Sequence, residues 1–213
     1  MRQKATLIDR LLEEFQHGLT TCFVRPPQHA RPYPAASAAP AELPEEQQKD
    51  IAGLMRVNNA GEVAAQGLYR GQALTARDPA VTEAMAIAAE EENEHLNWCQ
   101  QRLAELDASR SKLDGLWYLG SFTIGVLAGS AGDKWSLGFV QETERQVCHH
   151  LDRHLDRLPA ADGRSRAILE TMKADELRHA VKAHEAGAAE LPLPVKTAMT
   201  LVSRIMTSVA YRI

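Results

Sequence analysis

The chain has 213 residues, a net charge of -4 and 45% apolar residues, enough for one well-buried core with appendages and too little for two full domains. Its Lys and Arg are scattered, with no basic block or aromatic-basic interleaving, which excludes nucleic acid as a partner. Three cysteines, Cys22, Cys99 and Cys148, fall at no zinc-like spacing; their odd number excludes a disulfide framework and points to a reducing compartment.

At the N-terminus there is no uninterrupted apolar stretch, and Asp9, Glu13 and Glu14 argue against a transit peptide, so an unprocessed chain is expected. Residues 4 to 18 place Leu7, Leu11, Leu12 and Phe15 at helical spacing, which predicts a short amphipathic helix. From Pro26 to Pro44 the chain is rich in Pro and Ala and cannot propagate a helix; it reads as an extended linker. Residues 1 to 43 are therefore set apart from a bundle domain over 44 to 213.

Within that domain the first helix is expected from about Glu45 to Ala76, with Pro44 and two acids at its positive end. Its seam of small residues, Ala60, Gly61, Ala64, Ala65, Gly67 and Gly71, would let a neighbour approach closely. Asp78-Pro79 restarts the chain into a second helix to about Asp107, rich in Ala, Glu and Leu. An uncharged apolar segment follows, about Leu116 to Ala131, interrupted by Gly120, Gly125 and Gly129. Two further helices are expected, about Lys134 to Leu158 and about Arg164 to Ala189. After Pro192 and Pro194 a final amphipathic helix carries Val195, Met199, Val202, Ile205, Met206, Val209 and Ile213. No stretch alternates at period two, so the class is all-α: a four-helix bundle with an apolar insert before its third helix and a C-terminal amphipathic helix.

The chemistry lies in Glu92-x-x-His95 and Glu176-x-x-His179. Residues three apart share one helical face, so one helix can offer both side chains to a metal pair. The other two bundle helices each supply a lone carboxylate, Glu62 and Glu144. One Glu from each of two helices and a Glu-x-x-His from each of the others is the ligand set of ferritin-like di-iron carboxylate bundles. Glu62 precedes Glu92 by 30 residues and Glu144 precedes Glu176 by 32, which implies two similar hairpins docked about a pseudo-two-fold axis. Six carboxylate and imidazole ligands without thiolate suit two iron or manganese ions with open positions, not structural zinc.

A third match, Glu14-Phe15-Gln16-His17, lies outside any paired hairpin and reads as a chance occurrence. Ala88, Leu96 and Cys99 put Glu92 and His95 on the inward stripe, whereas Glu90, Glu91 and Glu94 belong to an acidic run that cannot all face the core. Because metal-bound His usually donates its other N–H to a carboxylate, Glu91 is the candidate partner of His95 and Asp175 that of His179, each four residues upstream. His150, beyond the Glu144 turn, is a candidate pocket residue. Cys99 and Cys148 are assigned no role.

Arg56-Val-Asn-Asn-Ala-Gly-Glu62, Glu92-x-x-His95, Glu144 followed by His149-His150, and Asp175-Glu176-x-x-His179 together resemble the Coq7 family, the demethoxyubiquinone hydroxylases of ubiquinone biosynthesis. The resemblance runs from about residue 50 to the C-terminus. It implies O2-dependent hydroxylation of the ring of 2-polyprenyl-3-methyl-6-methoxy-1,4-benzoquinone or its quinol, two Fe ions per subunit, and a ligand set of Glu62, Glu92, His95, Glu144, Glu176 and His179, with Glu92 and Glu176 on opposite hairpins and Glu62 or Glu144 able to bridge. The residue after His149-His150 is Leu151, where animal relatives are expected to carry an aromatic.

A polyprenyl quinone lives in the bilayer, so a peripheral position on the cytoplasmic face of a bacterial inner membrane is expected. The glycine-rich insert, too short to cross, and the C-terminal helix, with Lys196, Arg204 and Arg212, are the elements for it. A second copy of the chain or accessory proteins of the pathway are further candidate partners. The rival readings are a ferritin-like iron store and a metal-free lipid-binding bundle. No Gly-x-Gly-x-x-Gly follows a strand, which argues against a built-in nucleotide domain.

Overall fold

In the computed structural model, which describes residues 6–24 and 31–213, no strand occurs among the described residues. Residues 4 and 5 of the first predicted helix, the side chains of Leu7 and Leu11, and Pro26-Pro27 of the linker lie outside them.

The bundle consists of two antiparallel hairpins. α2 (Glu45–Thr75) packs on α3 (Pro79–Glu105), and α5 (Asp133–Arg157) packs on α6 (Gly163–Glu185). Each second helix has a built start. Asp78 accepts from the Ala80 N–H at 2.9 Å with Pro79 as the first helical residue, and Asp162 accepts from the Ser165 N–H at 3.0 Å. α6 ends four residues before the expected Ala189 because Gly187 adopts φ +95°, a left-handed turn that lets the Gly187 and Ala188 amides close the last carbonyls. One end of the core buries Ile51, Leu54, Met55, Leu103, Ile168, Leu169 and Met172; the other centres on Tyr69, Met85 and Val140. Each such aliphatic side chain contributes about 2 kcal/mol by leaving water.

The apolar insert is a helix, α4 (Asp114–Ser130), laid along α2. The small-residue seam makes this possible: a Cβ at Gly71 would run into the Phe122 carbonyl, and one at Gly125 into the Leu68 carbonyl. The two backbones touch where side chains would hold them apart. On its other side α4 exposes Leu116, Leu119 and Leu127. α7 (Leu193–Ala210) anchors through Ala210 and Tyr211 against Val57, Ala60 and Trp117, and exposes Leu201, Val202 and Ile205. No described helix is long and apolar enough to cross a membrane.

α1 (Leu7–Phe23) continues five residues past the expected end at residue 18. Gly18 does not break it, because the Tyr118 ring occupies the space a side chain there would need, and Thr21 and Cys22 are buried beyond it. The helix binds the bundle through its polar edge, with Glu14 accepting from Arg70 Nε at 2.8 Å. Its apolar stripe, Ile8, Leu12, Phe15, Leu19 and Phe23, faces outward. Of the third Glu-x-x-His, Glu14 is thus engaged by Arg70 while His17 is exposed.

The described part of the expected linker packs on the bundle. A 3-10 turn over Pro34–Ser37 docks on α6, Ala35 is fully buried, and Tyr33 and Leu43 pack against the core. Prolines prevent helix but hold an extended backbone whose side chains are free to dock.

Candidate metal centre

Glu62, Glu92, His95, Glu144, Glu176 and His179 converge in the middle of the bundle, and none is more than 5% exposed. Their oxygen and Nδ1 atoms fall into two groups that could each hold a metal ion, Glu62, Glu92, His95 and Glu176 in one and Glu144, Glu176 and His179 in the other.

The carboxylates between the two imidazoles are Glu92 and Glu176. Glu92 reaches His95 Nδ1 with Oε2 at 2.7 Å and His179 Nδ1 with Oε1 at 3.3 Å. Glu176 does the same, with Oε1 at 3.2 Å from His95 Nδ1 and Oε2 at 3.3 Å from His179 Nδ1. Glu62 lies only on the His95 side, 3.7 Å away, and Glu144 groups only with His179. Glu92 and Glu176, not Glu62 or Glu144, thus stand between the two imidazoles. A Glu three residues before its own His lies beside that His and still reaches the facing hairpin; a lone Glu has no such partner on its own helix.

The orienting acids are also exchanged. His95 Nε2–H donates to Asp175 Oδ2 at 2.9 Å, and His179 Nε2–H donates to Glu91 Oε2. With Nδ1 turned to the central carboxylates, Nε2 lies on the far side of the ring, over the opposite hairpin. Each acid thus serves the histidine of the other Glu-x-x-His helix, not the one four residues downstream. Glu94, expected among solvated acids, is buried and accepts from Arg31 Nε and the Arg31 backbone N–H. Arg31 Nη1 also donates to Asp175 at 2.7 Å, and its guanidinium lies 4.9 Å from the Trp98 ring centre. Arg178 Nη1 donates to the other Asp175 oxygen at 2.7 Å.

Tyr69 completes the inner arrangement by donating its hydroxyl proton to Glu144 Oε1. Neither Arg31 nor Tyr69 was singled out from sequence. A tyrosine two turns after Glu62 on the same face was the available signal for Tyr69; Arg31 sits in a segment whose path no periodicity reveals. His150 is placed elsewhere, in a cavity between α5 and α7, because α5 turns it away from the face carrying Glu144.

Charge balance tests whether a cation fits. Four carboxylates share the buried cluster, and Glu92 Oε1, both Glu176 oxygens and His179 Nδ1 have no hydrogen-bond partner. Burial and the adjacent Glu92 and Glu176 carboxylates push Glu62 and Glu144 well above the usual carboxylate range. Burial works against charged imidazoles, yet the Glu176 and Glu92 carboxylates bring His179 up to about 11, and Glu92 with Asp175 raises His95 likewise. Burial also opposes the charge of Asp175, but His95, Arg31 and Arg178 hold it well below its ordinary value. Four buried carboxylates with unpartnered oxygens favour a positive charge among them, and hard or borderline divalent ions suit an oxygen and imidazole donor set.

One side of the cluster opens to a cavity of about 160 Å³, lined by Tyr69, Met85, Ala88, Val140 and Ala183 and bordered by Glu91 and His179. His95, on the other side, is fully buried beneath Trp98 and Arg31.

Residues 49–210 match the family described as ubiquinone biosynthesis protein COQ7. Among similar curated proteins is the 3-demethoxyubiquinol 3-hydroxylase of Dechloromonas aromatica, 53% identical, with 96% of this chain and 98% of that protein covered. The enzymes of the same name from Xanthomonas oryzae pv. oryzae (55% identical; 97% and 94% covered) and Nitrosococcus oceani (54% identical; 98% of each covered) are equally similar.

Proposed function

We propose that this chain, which belongs to the COQ7 family of ubiquinone biosynthesis proteins, is a di-iron monooxygenase that hydroxylates the ring of 3-demethoxyubiquinol with O2. The observation that carries the di-iron reading is the position of Glu92 and Glu176, each with one oxygen toward either imidazole. Glu62 and His95 would hold one ion, Glu144 and His179 the other, with Glu92 and Glu176 shared. When bound, iron would supply the redox chemistry that activates O2: one oxygen atom enters the ring C–H bond and the other leaves as water, with the two electrons and two protons supplied by the quinol itself or by a nicotinamide cofactor.

The chain's own residues do the rest. Asp175 and Glu91 accept hydrogen bonds from the Nε2–H groups of His95 and His179, which selects the tautomers with Nδ1 lone pairs toward the centre. Tyr69 donates its hydroxyl proton to Glu144 Oε1 and so orients that carboxylate beside the open cavity. The apolar cavity wall excludes water and takes the flat quinol ring next to His179. The prenyl tail stays in the lipid.

The protein sits on the cytoplasmic face of a bacterial inner membrane without crossing it. The outward apolar residues of α1, α4 and α7 support this reading. The stripe on α1 adds an element that was not among the expected membrane contacts.

Anaerobic purification with iron quantification, followed by quinone analysis after addition of demethoxyubiquinol and O2, tests the proposal. Two irons per chain and a ring-hydroxylated product are expected. Protein that holds no iron and forms no product refutes it.

A further inference from the structure

A second cavity, about 450 Å³, opens between α5 and α7, and no residue of the carboxylate cluster lines it. α5 contributes Arg153 and Arg157 to its wall, and α7 contributes Arg204 and Arg212. These come from polar stripes at helical spacing, with Ser208 midway between Arg204 and Arg212. No acidic residue lines the cavity, and of the four arginines only Arg157 has an acidic partner, Asp50, among the described residues. Two helices that face each other with like charge repel unless something between them carries the opposite sign.

Two imidazoles form the inner wall. His154 is 5% exposed, and its ring centre lies 3.9 Å from that of His150. Arg153 Nη2 faces His150 Nδ1 at 3.5 Å, which makes Nδ1 the acceptor and leaves Nε2 with the proton. That Nε2 and His154 Nδ1 are both buried without a hydrogen-bond partner. Burial and then the neighbouring arginines keep His150 neutral, down to about 4. The walls thus present forked guanidinium donors and a free imidazole N–H, with Arg212 Nη1 donating to Ser208 Oγ at 2.9 Å, and no acidic side chain to satisfy them.

We propose that this cavity binds the phosphate group of a mono- or diester. Its tetrahedral oxygens can accept from Arg153 and Arg204 on opposite walls at once, which a planar carboxylate can do with fewer partners, and its charge offsets more than one guanidinium. A lipid headgroup and a soluble phosphate share this chemistry. The exposed Leu201, Val202 and Ile205, on the same helix as Arg204, would place a headgroup phosphate beside acyl chains.

The test uses the full chain, wild type and the Arg153→Gln/Arg204→Gln double variant. Both arginines are exposed, so the fold, read by far-UV circular dichroism, is retained. A second double variant, Lys49→Gln/Lys112→Gln, removes the same charge elsewhere. Calorimetric titration with inorganic phosphate and pyrophosphate forms one arm; co-sedimentation with phosphatidylcholine vesicles with and without phosphatidylglycerol forms the other. Affinity should fall about tenfold in the arginine variant and stay near wild type in the lysine variant. A fall in the first arm assigns the site to soluble phosphates, and one in the vesicle arm alone to headgroups. Equal loss in both variants means diffuse attraction, and no loss in either arm means no site; either result overturns the proposal. Iron content and turnover are read separately, so failure here leaves the hydroxylase reading untouched.

Discussion

The two halves of the carboxylate cluster are built from the same parts and finished differently. On the His95 side the imidazole is completely buried, its Nε2 partner Asp175 is held by two arginines, and Trp98 covers it. On the His179 side the partner is the half-buried Glu91, Tyr69 touches the lone glutamate, and an apolar cavity reaches the ring. A repeated hairpin can place equivalent donors, but only one of its two faces needs to admit a substrate. The segment before the bundle closes the other.

The strongest break of this comparison removes what both halves share. Glu176→Ala takes one oxygen from each imidazole; turnover should fall by ~100-fold or more and iron content should drop, with helical content by circular dichroism unchanged. Retained activity would mean the centre is mis-assigned. Next comes the open half: Ala88→Phe should fill the cavity beside His179 and lower kcat/KM by ~10-fold, with two irons still bound. If kinetics do not change, the ring enters elsewhere.

On the closed half, Arg31→Ala frees Glu94 and Asp175 from their shared cation and should cost on the order of 2 kcal/mol in chemical denaturation. KM should stay near wild type, since no substrate path runs there; a large KM change would make the closed half an entrance. Tyr69→Phe removes a single hydrogen bond to Glu144 and should cost about 1 kcal/mol in stability or transition-state energy with iron content kept. Smallest of all, His17→Ala should shift stability by under ~0.5 kcal/mol and leave iron content alone, because that imidazole faces solvent.

Helix identity and the six donor residues were legible in the chain because both depend on short-range periodicity. A Glu and a His three apart share a face whatever surrounds them, and Pro79 starts a helix through its own backbone. What crosses between helices was not legible. Which carboxylates stand between the imidazoles, the exchange of Glu91 and Asp175, the burial of Glu94 by Arg31 and the placing of His150 in a separate cavity all depend on how two hairpins dock. Residues from 63 to 144 positions apart in the chain meet there. The sequence by itself determined an all-α chain with a buried Glu and His donor set. Tertiary packing alone decided that one half of that set is sealed and the other open, because access depends on which side chains cover a site, and periodicity along one helix carries no record of its neighbours.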